Sequence, residues 1–311
     1  YRSGSAWGNY LHSSFAMGDD GNAFKYSFDR NGVIVGMEWN LTPSSVWGYT
    51  ASAGYGTLRE LSDKTRSSDY NMGLYMVAAP YEQFELKTFI GFGFQQYQND
   101  RYLKNAEVHI SHREGLFGLD DHYASETDGY SFNYALELAR PFTVSPNFAV
   151  RPVWGFEIQV MKQNGYSEDA DKISWNNSGS NLSNGVLGAA SGTYALDFRT
   201  MQFARSLTRL GFSTESYFSR GGWQSRAFLV SRFTGDDYPV SEQSFQSGSI
   251  LFKARGSDLG KNYGQLGLGT HFWLNRERTA TLYFDGDWGF SLGGDGGYSL
   301  LNFAMGLQQN F

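Results

Sequence analysis

The 311-residue chain carries a net charge of −6, from 25 Lys and Arg against 31 Asp and Glu, which argues against nucleic acid as a partner. Cysteine is absent, so disulfides and thiolate metal sites are excluded, and no stretch nears the about 18 uninterrupted apolar residues of a transmembrane helix. Aromatic residues make up 17% of the chain, and 38 glycines stand beside 6 prolines, although the mean hydropathy of −0.44 is that of a soluble protein. No signal peptide is visible, and an opening on Tyr1 without Met suggests a mature or trimmed fragment.

Period-2 alternation dominates and helical periodicity is scarce. Twelve alternating segments follow in chain order: 5–17, 29–41, 47–59, 67–79, 84–98, 127–140, 148–161, 195–218, 223–234, 261–274, 279–291 and 298–311. In "VIVGMEWNL" one parity reads Val33, Val35, Met37, Trp39, Leu41 and the other Ile34, Gly36, Glu38, Asn40. In 84–98 one parity holds Phe84, Leu86, Ile90, Phe92 and Phe94, the other Glu85, Lys87, Gly91, Gly93 and Gln95. The last segment alternates Leu301, Phe303, Met305 and Leu307 with small or polar residues and stops on Phe311.

The connections alternate strictly between two kinds. Short ones lie at 42–46, 80–83, 142–147, 219–222 and 275–278. Longer polar ones lie at 18–28, 60–66, 99–126, 162–194, 235–260 and 292–297. This pattern predicts an all-β fold: a closed antiparallel transmembrane β-barrel of about 12 strands, in one domain spanning 1–311. A soluble sandwich also alternates. The membrane is favoured by aromatics near the strand ends (Trp7, Trp39, Trp47, Tyr81, Trp223, Trp273 and Trp288), as at a bilayer interface, and by a polar opposite face. Closure also removes sheet edges, which hydrocarbon penalises.

The chain resembles the translocator β-domain of autotransporters, the type V secretion proteins of Gram-negative outer membranes. The resemblance is carried by "SAWGNYLHSSF", by "NGVIVGMEWNL" with its Gly32, Gly36, Glu38 spacing, by "WGYTASAGYG", "SSDYNMGLYM" and "FELKTFIGFGFQQYQNDR", and by the late block "YGQLGLGTHFWL" with the final strand. It implies a twelve-stranded, non-enzymatic barrel. Such a barrel anchors and exports an N-terminal passenger, with a linker helix threading the lumen and the long loops outside the cell. The partners implied are outer-membrane lipids, the barrel-assembly machinery, and the chain's own passenger and linker helix. Phe303, Met305, Leu307 and Phe311 resemble the terminal signal read by the assembly machinery; Gln309 departs from it, because a large apolar residue is commoner there. The barrel reads as a monomer without cofactors.

Rival readings are a protease- or phospholipase-like barrel enzyme and a plain solute pore. His109, His112 and Asp120-Asp121-His122 share one polar connection, but their spacing matches no structured zinc site. His271 has polar parity, yet no serine stands beside it for nucleophilic catalysis. Asn176-Asn177 is similar to the self-cleavage pair of some autotransporters, but it lies in a surface connection rather than in a linker helix. No catalytic or metal residue is assigned. Parity instead places Glu38, Glu85, Lys87, Glu137, Arg151, Glu157, Arg209, Glu215, Arg226, His271, Asp285 and Asp287 toward the pore.

Overall fold

The computed structural model describes residues 4–19, 25–61, 63–81, 83–108, 117–171, 195–235, 240–246, 251–255, 260–293 and 297–311. Twelve long strands form the wall. The first six are β1 (Gly4–Met17), β2 (Tyr26–Thr42), β3 (Ser45–Glu60), β4 (Asp63–Tyr81), β5 (Phe84–Val108) and β6 (Phe117–Ala139). The rest are β7 (Phe148–Gln163), β8 (Met201–Phe218), β9 (Gly221–Gly235), β10 (Asn262–Trp273), β11 (Ala280–Ser291) and β12 (Tyr298–Asn310). Each pairs antiparallel with its sequence neighbours, and β12 pairs with β1 from Ser5↔Asn310 to Met17↔Tyr298. The sheet therefore closes on itself, and no strand of the wall is left as an edge.

The seam is sealed at its end by two backbone bonds. Gly4 donates to the Phe311 carbonyl at 3.1 Å, and Phe311 donates to the Gly4 carbonyl at 2.9 Å. A side chain at position 4 would meet the Phe311 ring at 2.9 Å, so the terminal aromatic rests on a residue without one.

In two of the short connections a side chain supplies a backbone partner, as Thr42 Oγ1 does for the Ser44 N–H at 3.3 Å. In the β10–β11 turn, Asn275 Oδ1 accepts from the backbone N–H of Thr279 (3.0 Å) and Ala280 (3.2 Å), and its Nδ2 donates to Thr279 Oγ1 (2.7 Å). Arg278 takes a left-handed φ of 57° there, and its guanidinium stacks 4.0 Å over the Trp273 ring. Between β6 and β7 the chain adds a short strand, Phe142–Ser145, paired with β7.

The opposite end is more elaborate than polar loops. Strands β5 and β6 run well past the 98 and 127 boundaries expected from alternation. Segment 195–218 divides into Leu196–Phe198 and β8. Leu196–Phe198 joins a separate four-stranded sheet with Tyr166–Ser167, Val240–Phe245 and Leu251–Arg255. A buried carboxylate fastens this sheet to the wall. Glu168 accepts two bonds from Arg101, at 2.8 and 2.6 Å, and one from the Leu196 N–H at 2.9 Å. Arg101 lies 4.6 Å over the ring of buried Tyr123.

Outside and inside of the wall differ in chemistry. Val33, Val35, Met72, Leu74, Phe92, Leu210, Phe212, Leu268 and Leu301 are all exposed on the convex side, Met72 and Leu268 at 67%. Trp39, Trp47, Trp223 and Trp288 are exposed on it too. Two of the aromatics expected in the belt lie elsewhere. Trp7 turns to the concave side, where its Nε1 donates to Tyr75 OH at 3.0 Å, and Trp273 sits at the inner mouth beside His271. The reason is local. Position 7 stands opposite Gly36, and the space of that missing side chain receives the indole.

Candidate functional site: the concave wall

Two sets of concave side chains bond across the wall by skipping a strand, and a glycine on the skipped strand makes room. Glu137 on β6 and Arg209 on β8 pair over Gly155 on β7; Arg209 stands opposite Gly155, and Gly155 opposite Glu137. A side chain at 155 would meet Arg209 Nε at 2.5 Å. Lys87 reaches the other oxygen of Glu137 at 3.0 Å. Arg226 on β9 holds Asp287 on β11 at 2.7 and 2.6 Å and Asp285 at 2.5 Å, over Gly267 on β10. Arg151 on β7 joins Glu215 on β8 at 2.6 Å and Glu85 on β5 at 3.4 Å. The guanidinium fork suits such shared carboxylates.

Glu38 is held differently. It accepts from Ser5 Oγ at 2.6 Å, Tyr75 OH at 2.8 Å and Gln308 Nε2 at 3.2 Å, so four strands meet at one carboxylate. Glu157 accepts from Gln159 at 2.5 Å. His271 packs edge-on to Tyr217, with ring centroids 6.2 Å apart, and to Trp273 at 5.5 Å. Phe303, Met305 and Leu307 on β12, and Phe311 just after it, lie on the convex side and are exposed. Beside the β8–β12 wall is a cavity of about 550 Å³ lined by Asn9, Glu215, His271, Tyr283, Asp285 and Gln308 among others. Asn9 accepts a short hydrogen bond from Tyr283 across it.

The concave face also holds groups that no sequence motif marks. Arg30 on β2 and Asp69 on β4 form a bidentate pair at 2.7 and 2.5 Å beside Gly54 on β3. Both have the inward parity of their strands, so parity alone contained the signal. Arg101 and Glu168 fall in segments expected to be loops. A buried apolar cluster of Ala139, Val153, Leu207, Phe228 and Val230, with Tyr263 packed on it, shares the concave wall and breaks the expectation of a uniformly polar inside. The Arg209 guanidinium lies 5.4 Å over Phe228, so cluster and ion pairs are continuous.

His109 and His112, and Asn176 with Asn177, lie outside the described residues. His122 is described: its Nε2 is 3.1 Å from Asp100 and its ring stacks on Tyr102 at 4.5 Å. Among the described residues no three His, Asp or Glu side chains group as metal ligands would.

A closed barrel with an apolar convex face, an aromatic belt and a charged concave face is an outer-membrane β-barrel. The family model for the autotransporter β-domain matches residues 6–190, more than half of the chain, and the chain belongs to that family. Three solved structures share the fold. The translocator domain of the autotransporter NalP from Neisseria meningitidis has a TM-score of 0.72 at 9% identity, covering 98% of this chain and 88% of that one. The β-domain of the Bordetella autotransporter BrkA has 0.57 at 13% identity, covering 98% of both. The transport unit of AIDA-I from Escherichia coli has 0.52 at 12% identity, covering 99% of this chain and 90% of that one. A monoaromatic hydrocarbon channel also shares the architecture, at a TM-score of 0.53. No curated protein sequence matches the chain. The molecule is thus an outer-membrane translocator barrel of a Gram-negative bacterium.

Proposed function

We propose that the barrel anchors an N-terminal passenger and exports it to the cell surface, with the linker threading the lumen and the long connections outside. The observation that supports this most is where β1 begins. Gly4 is bonded to Phe311 at the short-turn end, and β1 is paired along both edges. Chain upstream of Gly4 therefore leaves at the short-turn end. To reach the long-loop end without crossing lipid it must pass through the lumen.

On this reading Glu38, Glu85, Lys87, Glu137, Arg151, Glu157, Arg209, Glu215, Arg226, His271, Asp285 and Asp287 line the passage. Lys87, Arg151, Arg209 and Arg226 pair with Glu85, Glu137, Glu215, Asp285 and Asp287, which keeps the wall wet while offsetting part of its negative charge. Phe303, Met305, Leu307 and Phe311 present a fixed-register edge to the assembly machinery before β12 meets β1. Lipids cover the convex face, and the barrel acts without catalysis of its own.

The test is an epitope-tagged passenger fused ahead of Gly4 and expressed in cells. The tag is expected at the surface, and protease added to intact cells is expected to cut within 162–194 while sparing 42–46 and 219–222. A tag retained in the periplasm, or a purified fusion that conducts as a stably open pore, overturns export in favour of a solute channel. Cleavage at the short turns reverses the topology.

A further inference from the structure

At the short-turn end, half of the rim carries arginines just past the outward apolar residues. Arg140, Arg220 and Arg276 each come two residues after an exposed apolar residue, Leu138, Phe218 and Leu274, in the three successive turns β6–β7, β8–β9 and β10–β11. The β2–β3 and β4–β5 turns carry no lysine or arginine. Arg140 shows how such a residue is held. Its guanidinium lies 4.8 Å from the centre of the Phe142 ring and 5.7 Å from that of Phe84, and both rings are exposed on the convex side. Its side chain donates to the Gln83 amide oxygen at 3.4 Å, which leaves most of its five N–H donors open. In the next turn Arg220 follows Phe218, whose ring pairs with exposed Phe272 at 6.1 Å.

The charge of this arc is not cancelled by its surroundings. Arg140, Arg220 and Arg276 have no ion pair among the described residues. Glu277 is the acid of these turns, and Arg278 beside it is turned over Trp273 at the inner mouth. Glu82, in the β4–β5 turn, lies outside the described residues. The wall acids nearest this end, Glu85, Glu137 and Glu215, face the lumen and are held there by Lys87, Arg151 and Arg209. The register sets the height. Leu138 stands opposite Leu86 and Trp154 in the ladder, and Arg140 lies two residues further. That is about 7 Å along a strand at about 3.3 Å per residue, or about 5 Å along the membrane normal for a strand tilted by about 40°. The arginines therefore stand just past the outward apolar residues, at the depth of lipid phosphates, and successive turns are two strands or about 10 Å apart.

We propose that Arg140, Arg220 and Arg276 form a binding arc for anionic glycerophospholipid, whose phosphates take the guanidinium groups and whose acyl chains lie over Phe84, Phe142, Phe218 and Phe272. This rests on the reading that the short turns face the periplasm, because glycerophospholipid fills that leaflet. Rings and charge together select the occupant. A soluble acid meets the guanidinium groups but leaves the rings uncovered, whereas a lipid engages both at once. A guanidinium held flat on an aromatic ring keeps its N–H edge free for two parallel bonds to a phosphate. A zwitterionic headgroup brings an ammonium as well, and Glu277 is the one carboxylate that the described residues of these turns offer it.

The experiment uses the refolded full chain in neutral detergent, with native mass spectrometry reading bound phosphatidylglycerol and phosphatidylethanolamine. Each variant is first checked for the heat-modifiable gel migration of a folded barrel. Substituting Arg140→Gln, Arg220→Gln and Arg276→Gln together is expected to weaken phosphatidylglycerol binding at least tenfold. Phosphatidylethanolamine is expected to bind the unaltered chain several-fold more weakly. Phe84→Ala with Phe142→Ala keeps every charge and is expected to weaken phosphatidylglycerol several-fold, and water-soluble glycerol phosphate is expected not to compete. Arg59→Gln with Arg66→Gln, at the other rim, where both arginines are already paired with acids, is expected to change nothing. The arc is overturned if the triple variant binds like the unaltered chain, if the two lipids bind equally, if the Phe84 and Phe142 variant or glycerol phosphate shows that charge alone suffices, or if the Arg59 and Arg66 variant loses as much. Intact-cell proteolysis checks the orientation separately. Failure of the lipid arms with the short turns protected overturns this arc alone. Short turns cut from outside overturn the orientation and, with it, glycerophospholipid as the cellular ligand.

Discussion

The convex and concave faces of one wall are built from alternate residues of the same strands, yet they tolerate different things. On β5, Phe92 is 58% exposed on the convex side, where its ring lies 5.3 Å from that of Phe132. One residue away, a side chain at Gly93 would collide with Ser131 and Gln95. The convex face needs apolar surface and little else, because lipid conforms to whatever it meets. The concave face needs complementarity, because rigid side chains from three strands meet in one place. Hydropathy thus governs one face and packing the other.

The largest expected effect tests this division on a single strand. Phe92→Arg places a charge against the acyl chains and is expected to cost about 2–4 kcal/mol of barrel stability, while Gln95→Arg, on the concave side, costs much less. Refolding yields and denaturant midpoints in liposomes check it. Equal losses would mean that the two faces are not chemically distinct.

A smaller effect is expected from volume. Gly267→Val inserts methyl groups beneath the Arg226 side chain, whose Cγ would lie only 2.7 Å from a single added carbon at that position and whose Nε bonds Asp287. Such overpacking costs about 1–3 kcal/mol. Gly286→Ala on β11 meets nothing closer than the Asn302 carbonyl at 3.7 Å and is expected to be near neutral. Urea titration of the refolded barrels compares them; a neutral Gly267→Val would sever the link between concave glycines and ion pairs.

Phe311→Ala keeps both backbone bonds to Gly4 and is expected to lower the stability of the refolded barrel by less than about 1 kcal/mol, since Phe311 is 65% exposed. The same substitution is expected to slow assembly in cells several-fold, as followed by pulse-chase folding. Proportional losses in both would make Phe311 an ordinary wall residue.

The smallest effect lies in the outer sheet, away from the membrane. A hydrogen bond from Lys253, with the charges of Lys253 and Arg199, holds the Glu242 carboxyl below its usual range. A lowered folded-state value means the contribution is present above the unfolded value and is lost as pH falls through the folded one. Protease sensitivity of the outer sheet is therefore expected to rise slightly as the pH drops through the carboxylate range. Glu242→Gln is expected to remove that dependence; an unchanged pH profile in the variant would assign it to another group.

Alternation along the chain was enough to specify a closed antiparallel barrel with short turns at one end. The physical reason is that lipid demands an apolar residue at every second position, a demand visible without knowing any contact. Where lipid ends, so does that signal. The outer parts of β5 and β6 read as polar loop because nothing there requires alternation, and the second sheet, with its Arg101–Glu168 anchor, left no periodic trace. Parity likewise sorted charges such as Glu137 and Arg226 onto one face, but not their partners. Glu137 meets Arg209 two strands away over Gly155, Trp7 turns inward onto Gly36, and Val153, Leu207 and Phe228 pack inside; each of these came from the folded wall alone. Register and curvature choose which residues two strands apart come within a side chain's reach, and neither is written in the pattern of any single strand.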